Sequence, residues 1–196
     1  MNVLLLSGGL ESVALCYLSR PDLCITVDYG QPAFAGEKRA SSFFCKSLDI
    51  NHMIVRGTGY QKRVGETESW WPFRNQLLLT LAATATSHLD VKQIAIGLVR
   101  SDIYTDCTRK FVDAAQALFA AQDSNIQICA PALELSTMEL LRKAYFPADS
   151  LNVTFSCHRM PYPCGACPGC RKSREVKELY FQSSRSRANA ACAASR

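Results

Sequence analysis

Between residues 2 and 144, short apolar runs alternate with stretches of helical periodicity five times. Residues 2–6, 23–27, 52–55, 93–97 and 126–129 are apolar and bounded by turn residues, as buried strands are. Residues 11–18, 36–48, 75–89 and 110–122 follow them as helices, and Ala40, Phe43, Phe44 and Leu48 make one stripe on the second. A capping box, Ser136-Thr137-Met138-Glu139, opens a fifth helix that runs to Ala144. Successive strands joined by helices run parallel. The predicted fold is therefore α/β, a doubly wound parallel five-stranded sheet with ligands at the carboxyl ends of its strands. Residues 56–73 are polar, carry glycine and end near Trp70-Trp71-Pro72, so they are expected as a loop. No internal repeat is visible.

With 196 residues, 48% hydrophobic and 20% charged, the chain can bury a core. No apolar run reaches the roughly 18 residues of a membrane helix, and the N-terminal segment lacks the basic start of a signal peptide. A cytoplasmic protein with no membrane partner is expected. The net charge of +5 is uneven. Residues 1–170 are neutral, and the excess lies in Arg171, Lys172, Arg174, Lys177, Arg185, Arg187 and Arg196. The body thus has no charge-based claim on nucleic acid. Residues 1–150 are read as the α/β domain and 151–178 as a cysteine-bearing segment packed on it. Residues 179–196 are read as a flexible tail, because Ser, Arg, Ala and Asn at its end leave little to bury.

The first strand runs into Ser7-Gly8-Gly9-Leu10-Glu11-Ser12. Glycines let the backbone approach an anion, Ser7 and Ser12 offer hydroxyls, and the next helix adds free N–H groups. A tight turn with no ligand is the competing reading. Neither a Walker loop nor a dinucleotide fingerprint fits, because the Gly-Lys-Ser/Thr and G-x-G-x-x-G strings are absent. The loop resembles the SGG-x-D-S loop of the PP-loop ATP pyrophosphatases, with Glu11 where that pattern has aspartate.

Of the ten cysteines, eight divide into two kinds, apart from Cys107 and Cys192. Cys16, Cys24, Cys45 and Cys129 lie in apolar elements and read as small core residues. Cys157, Cys164, Cys167 and Cys170 are clustered with the spacing of a tetrahedral metal site. A redox C-x-x-C would explain one pair but not four, and Zn2+ is the ion expected. His158 is a spare ligand candidate. Cys107 lies in a polar loop.

Taken together, the chain resembles the 7-cyano-7-deazaguanine synthase (QueC-type) family of that superfamily over roughly residues 2–178. The resemblance rests on an ordered set: Ser7 to Ser12, Asp28-Tyr29-Gly30-Gln31, Arg74-Asn75, Tyr104-Thr105-Asp106-Cys107, and Cys164-Gly165-x-Cys167-x-x-Cys170-Arg171. It implies an adenine nucleotide alpha hydrolase-like fold and an ATP-dependent carbon–nitrogen ligase of queuosine biosynthesis. In such enzymes ATP and Mg2+ adenylate 7-carboxy-7-deazaguanine, ammonia gives the amide, and a second activation gives the nitrile.

By the resemblance, Ser7, Gly8, Gly9, Leu10 and Ser12 would bind the ATP phosphates. Asp28, Tyr29, Gly30 and Gln31 would lie near the adenosine or the reacting groups. Glu11, Arg74, Asn75 and Asp106 are the catalytic candidates, Asp106 facing the amidine edge of the deazaguanine. Trp70, Trp71 or Phe73 would stack on the base or pack the loop. The departures are Glu11, Pro32-Ala33 after Gln31, Thr105 in place of proline, and Thr137 in place of lysine. They fall around the substrate and point to a divergent member, in which the amide-to-nitrile step is either kept or lost; without it the enzyme would stop at an amide. Its acceptor would then be ammonia or a protein amine, as for QueC-like proteins of bacterial antiviral gene clusters. Relatives are commonly homodimers, so a homodimer is expected.

Overall fold

The computed structural model describes residues 1–57, 72–122 and 125–194, with side chains as far as residue 183. Five strands form one sheet: β1 (Asn2–Leu5), β2 (Leu23–Asp28), β3 (Asn51–Arg56), β4 (Gln93–Ala95) and β5 (Gln127–Cys129). Their order is β3-β2-β1-β4-β5, and every pairing is parallel. The predicted doubly wound sheet is the one that forms. Val3 of β1 lies opposite both Leu23 and Ile94, so the register places the apolar stretches side by side.

A strand's side chains alternate between faces, and β1 shows the consequence. Leu4 and Leu6 join a core built with α1 (Leu10–Ser19), α2 (Phe34–Leu48), α5 (Thr137–Lys143) and α6 (Pro168–Ala194). Val3 and Leu5 join a second core under α3 (Arg74–Ala85) and α4 (Arg109–Ala120). Helices thus cover both faces, as a parallel sheet requires. Phe44 is fully buried at the first core, edge-on to Tyr17 and Phe43. Such burial stabilises by about 2–3 kcal/mol. Phe43 belongs to the predicted stripe but is 47% exposed at its outer margin. Cys16, Cys24 and Cys45 are buried where α1, β2 and α2 meet, as free thiols, and Cys129 packs against the same core.

Local chemistry sets the helix ends. Ser136 Oγ accepts from Glu139 N at 3.2 Å while Glu139 returns a bond to Ser136 N, so the predicted capping box starts α5. Thr108 caps α4 through Phe111 N. Helix α3 stops at Ala85 and not at residue 89; its C-cap Thr86 is buried and turns its hydroxyl back onto Ala82 O at 2.8 Å. Strand β4 ends at Ala95 and not at residue 97, since its partner β5 ends at Cys129 just before Pro131, which has no N–H to extend the ladder.

The largest departure lies at the C-terminus. The expected flexible tail from residue 179 is helical, as the continuation of α6 to Ala194. Pro168 opens this helix, where its missing N–H costs nothing. Val176 and Tyr180, four residues apart, enter the first core, and Tyr180 donates its hydroxyl to Phe146 O at 2.8 Å. Tyr180, one turn after Val176, therefore anchors the start of the segment, and composition alone hides it. Among the described residues, no helix is long and apolar enough to cross a membrane.

Candidate functional site

At the carboxyl ends of β1, β2 and β4 lies a cavity of about 460 Å³. Chain order reverses on either side of β1, and in open α/β sheets that reversal opens a crevice for ligands. The glycine loop forms its floor. Ser7, Gly9, Leu10, Glu11 and Ser12 line the cavity. Gly8 does not. It has φ +77°, and a Cβ there would sit 2.6 Å from Ala40 Cβ. Its carbonyl accepts from Phe155 N at 2.8 Å. Gly8 thus lets the loop turn tightly against α2, and Gly9 faces the opening. Ser12 Oγ donates to Gly9 O at 3.2 Å and lies 3.3 Å from Ser7 Oγ. The first N–H groups of α1 have no partner within the helix and point the same way.

One wall comes from the end of β2 and the start of α2. Asp28 accepts from Gly30 N through Oδ1 at 3.1 Å, so Asp28 and Gly30 build the turn and neither lines the cavity. Tyr29 and Gln31 do line it. The Gln31 amide is engaged within the protein: Oε1 accepts from Tyr29 N, and Nε2 donates to Val27 O and to Glu37 Oε2 at 2.7 Å. Glu37, which no motif marked, faces the same space. Burial raises its carboxyl to about 7, although the Gln31 hydrogen bond and the charge of Arg74 pull it down. Burial, with the Glu37 charge, also raises the Tyr29 phenol, so it stays neutral.

Arg74 and Asn75 open α3. Both line the cavity, and buried Asn75 donates through Nδ2 to Asp106 O at 3.2 Å. Asp106 is 8% exposed, lies behind the wall and is not part of the lining. Its neighbours Tyr104 and Cys107 are. Burial, then the charges of Asp102 and Asp106, raise the Cys107 thiol to about 12, which leaves it protonated. Phe73 is 73% exposed with φ +70° and does not line this cavity. Trp70 and Trp71 lie outside the described residues.

Glu11 is held from two sides. Its Oε1 accepts from Thr137 Oγ1 at 2.8 Å and meets Lys172 Nζ at 2.9 Å. Lys172 also reaches Asp102 Oδ1 at 3.0 Å, while Asp102 Oδ2 accepts from Val99 N. Burial alone would lower the Lys172 ammonium, but Glu11 and Asp102 outweigh it and raise it. Lys172 was legible only as one basic residue among several after the last cysteine. Asp102 carried no signal in the sequence.

Cys157, Cys164, Cys167 and Cys170 bring four Sγ atoms within 4.8 Å of one another beside this cavity. Tetrahedral zinc with bonds of 2.3 Å sets its thiolates about 3.8 Å apart, and Cys164 Sγ lies 3.9 Å from Cys170 Sγ. Backbone N–H groups supply the outer support. Cys167 N points at Cys164 Sγ, Cys170 N and His158 N at Cys167 Sγ, all within 3.5 Å. The N–H groups of Ala166 and Cys167 lower the Cys164 thiol to about 6, which favours the thiolate that binds metal. Gly169 has no room for a side chain, since a Cβ there would lie 2.0 Å from Ser156 O. The arrangement fits a metal ion. His158 stands outside the sulfur set, lines the cavity, and is kept neutral by burial and by nearby Arg74, Arg159 and Lys172.

Residues 58–179 match the family model described as queuosine biosynthesis protein QueC. A 7-cyano-7-deazaguanine synthase 1 of Desulfitobacterium hafniense is 30% identical, over 95% of each chain. A 7-cyano-7-deazaguanine synthase of Campylobacter fetus is 25% identical over 86% of this chain and 88% of its own. A third, from Methanosarcina barkeri, is 27% identical over 89% and 93%.

Proposed function

The chain belongs to the QueC family, and on that premise we propose that it is an ATP-dependent ligase that adenylates the carboxylate of 7-carboxy-7-deazaguanine and passes it to an amine. The observation that carries this reading is the cavity itself. It joins a glycine loop, a helix N-terminus, Arg74 and Lys172 at the reversal point of the sheet. A carboxylate resists amines because its oxygen leaves poorly. Attack of that carboxylate on the α-phosphorus expels pyrophosphate, and AMP then becomes the group the amine displaces. Atoms balance: one water equivalent is lost from acid and amine, and ATP becomes AMP and pyrophosphate.

In this reading Ser7, Gly9, Leu10 and Ser12, with the first N–H groups of α1, receive the phosphates. Gly8 shapes the turn. Tyr29 and Arg74 face the acyl and ribose side, and Asn75 with Asp106 fixes the wall behind them. Glu37, near neutrality in its proton affinity, is placed to accept a proton from the incoming amine. Asp28, Gly30 and Gln31 hold the β2 turn that carries Tyr29. Magnesium arriving with the nucleotide would supply charge neutralisation for the triphosphate and for the departing pyrophosphate. Glu11 and Asp102 are the carboxylates at that end, but Lys172 engages both, so the oxygens of the nucleotide itself would hold the ion. Zinc in the four-cysteine site would keep no open position and would serve structure. Thiolates on a four-iron cluster each sit on a separate iron, so the close set of sulfurs favours a single ion.

The test is incubation with ATP, Mg2+, 7-carboxy-7-deazaguanine and ammonium, with mass spectrometry of the products. Release of AMP together with the amide or the nitrile supports the reading, and the product tells whether the second activation survives. No AMP with this acid sinks it. Adenylation without a free amide, but with a deazaguanine adduct on a supplied protein, identifies a protein amine as acceptor.

A further inference from the structure

Lys172 stands apart from everything the sequence motifs marked. It lies two residues past Cys170 in the first turns of α6, yet its ammonium reaches across to Glu11 in the loop after β1 and to Asp102 after β4. Its side chain is 37% exposed and lines the cavity at the loop end. Two carboxylates at the mouth of an anion site are an electrostatic obstacle. Each repels a phosphate at contact range. The loop itself carries no cation, and among the described residues lining the cavity Arg74 and Lys172 are the fixed positive charges. Arg74 opens α3, on the wall, and Lys172 sits beside the loop.

We propose that Lys172 is a phosphate ligand of the nucleotide site, brought to the glycine loop by the four-cysteine knot. An ammonium has three protons, and two are directed at Glu11 and Asp102. The third is available to a phosphate oxygen, and the two ion pairs hold the flexible lysine stem in place beforehand. The knot supplies the position. Its last ligand, Cys170, and Lys172 share the start of α6, while Val176 and Tyr180 fix that helix further along. The cysteine site is thereby tied to the chemistry through one side chain, although it offers no coordination position to the substrate.

The inference rests on the proposed nucleotide site, and the experiment separates the two. Binding of Mg2+ and α,β-methylene-ATP is measured by calorimetry for the wild type, Lys172→Arg and Lys172→Met. Lys172→Met is expected to bind tenfold or more weakly, the usual loss for a charge-assisted hydrogen bond. Lys172→Arg should stay within a few-fold. The same Lys172→Met change is then made in a Glu11→Gln, Asp102→Asn background, where no carboxylates remain to neutralise. A loss of tenfold or more there supports direct contact with phosphate. No loss there, or Lys172→Met within twofold of wild type, or Lys172→Arg as weak as Lys172→Met, overturns the inference. A wild type that fails to bind the analogue at all counts against the nucleotide site itself.

Discussion

The glycine loop and the cysteine knot lie side by side, but different physics builds them. The loop from Ser7 to Ser12 is local. A buried strand, one glycine with positive φ and a helix N-terminus suffice to shape it. The knot contains little regular structure before Pro168, and its shape comes from four sulfurs converging on one point. The backbone of the first is set by sheet packing before any ligand arrives. The second depends on the ion that its thiolates would hold. They meet where Phe155 N donates to Gly8 O and where Lys172 pairs with Glu11. The contrast teaches that an anion site can be built from one segment, whereas the charge that completes it comes from the far end of the chain.

Four changes probe that contrast, in falling order of effect. Cys167→Ser removes a buried ligand and should release the metal. The loss should exceed about 3 kcal/mol, which for this size of chain is a drop in Tm of roughly 6–12 °C. Metal content and thermal unfolding read it, and an unchanged Tm with metal absent would mean that the knot holds without its ion. Gly8→Ala should cost about 2–4 kcal/mol, from left-handed backbone strain and from overpacking against Ala40. Ala40→Gly should recover part of that loss in denaturant unfolding, and no recovery would show that φ alone matters.

Glu37→Gln tests the wall between them. The folded carboxyl is raised from 4.5 to about 7, so the cost of ionising it appears as pH rises through that range and is full above it. The variant should be more stable than wild type by of the order of 2–3 kcal/mol above pH 7. Below pH 4.5 the two should coincide. Unfolding curves across pH decide it, and a constant difference would remove Glu37 as the titrating group. Thr137→Val, the smallest, deletes one hydrogen bond to Glu11 while Lys172 remains. It should cost about 1 kcal/mol, and a larger loss would mean that Thr137 and not Lys172 holds Glu11.

Much of the scaffold was legible because its signals are short in range. Runs such as residues 2–6 and 23–27 are apolar over a strand's length, and the capping box at Ser136 lies within one turn. The cysteine spacing marked the metal site for the same reason. The site was legible only where a motif lay along the chain: Ser7, Gly9 to Ser12, Arg74-Asn75 and Tyr104 do reach the cavity. Asp28, Gly30 and Asp106 belong to matching strings, yet their side chains or turns support the wall from behind. Glu37 was hidden because its environment, not its neighbours in sequence, raises its proton affinity.

By itself, the sequence determined the alternation of strands and helices, the glycine turn and the four thiol ligands. Each needs only residues a few places apart. Tertiary structure alone decided that α6 packs through Tyr180, that Gly8 faces α2, and that Lys172 pairs with Glu11 and Asp102. Lys172 and Glu11 are separated by most of the chain. No pattern in sequence encodes such a meeting, because sheet order and packing, not spacing, set the distance between them.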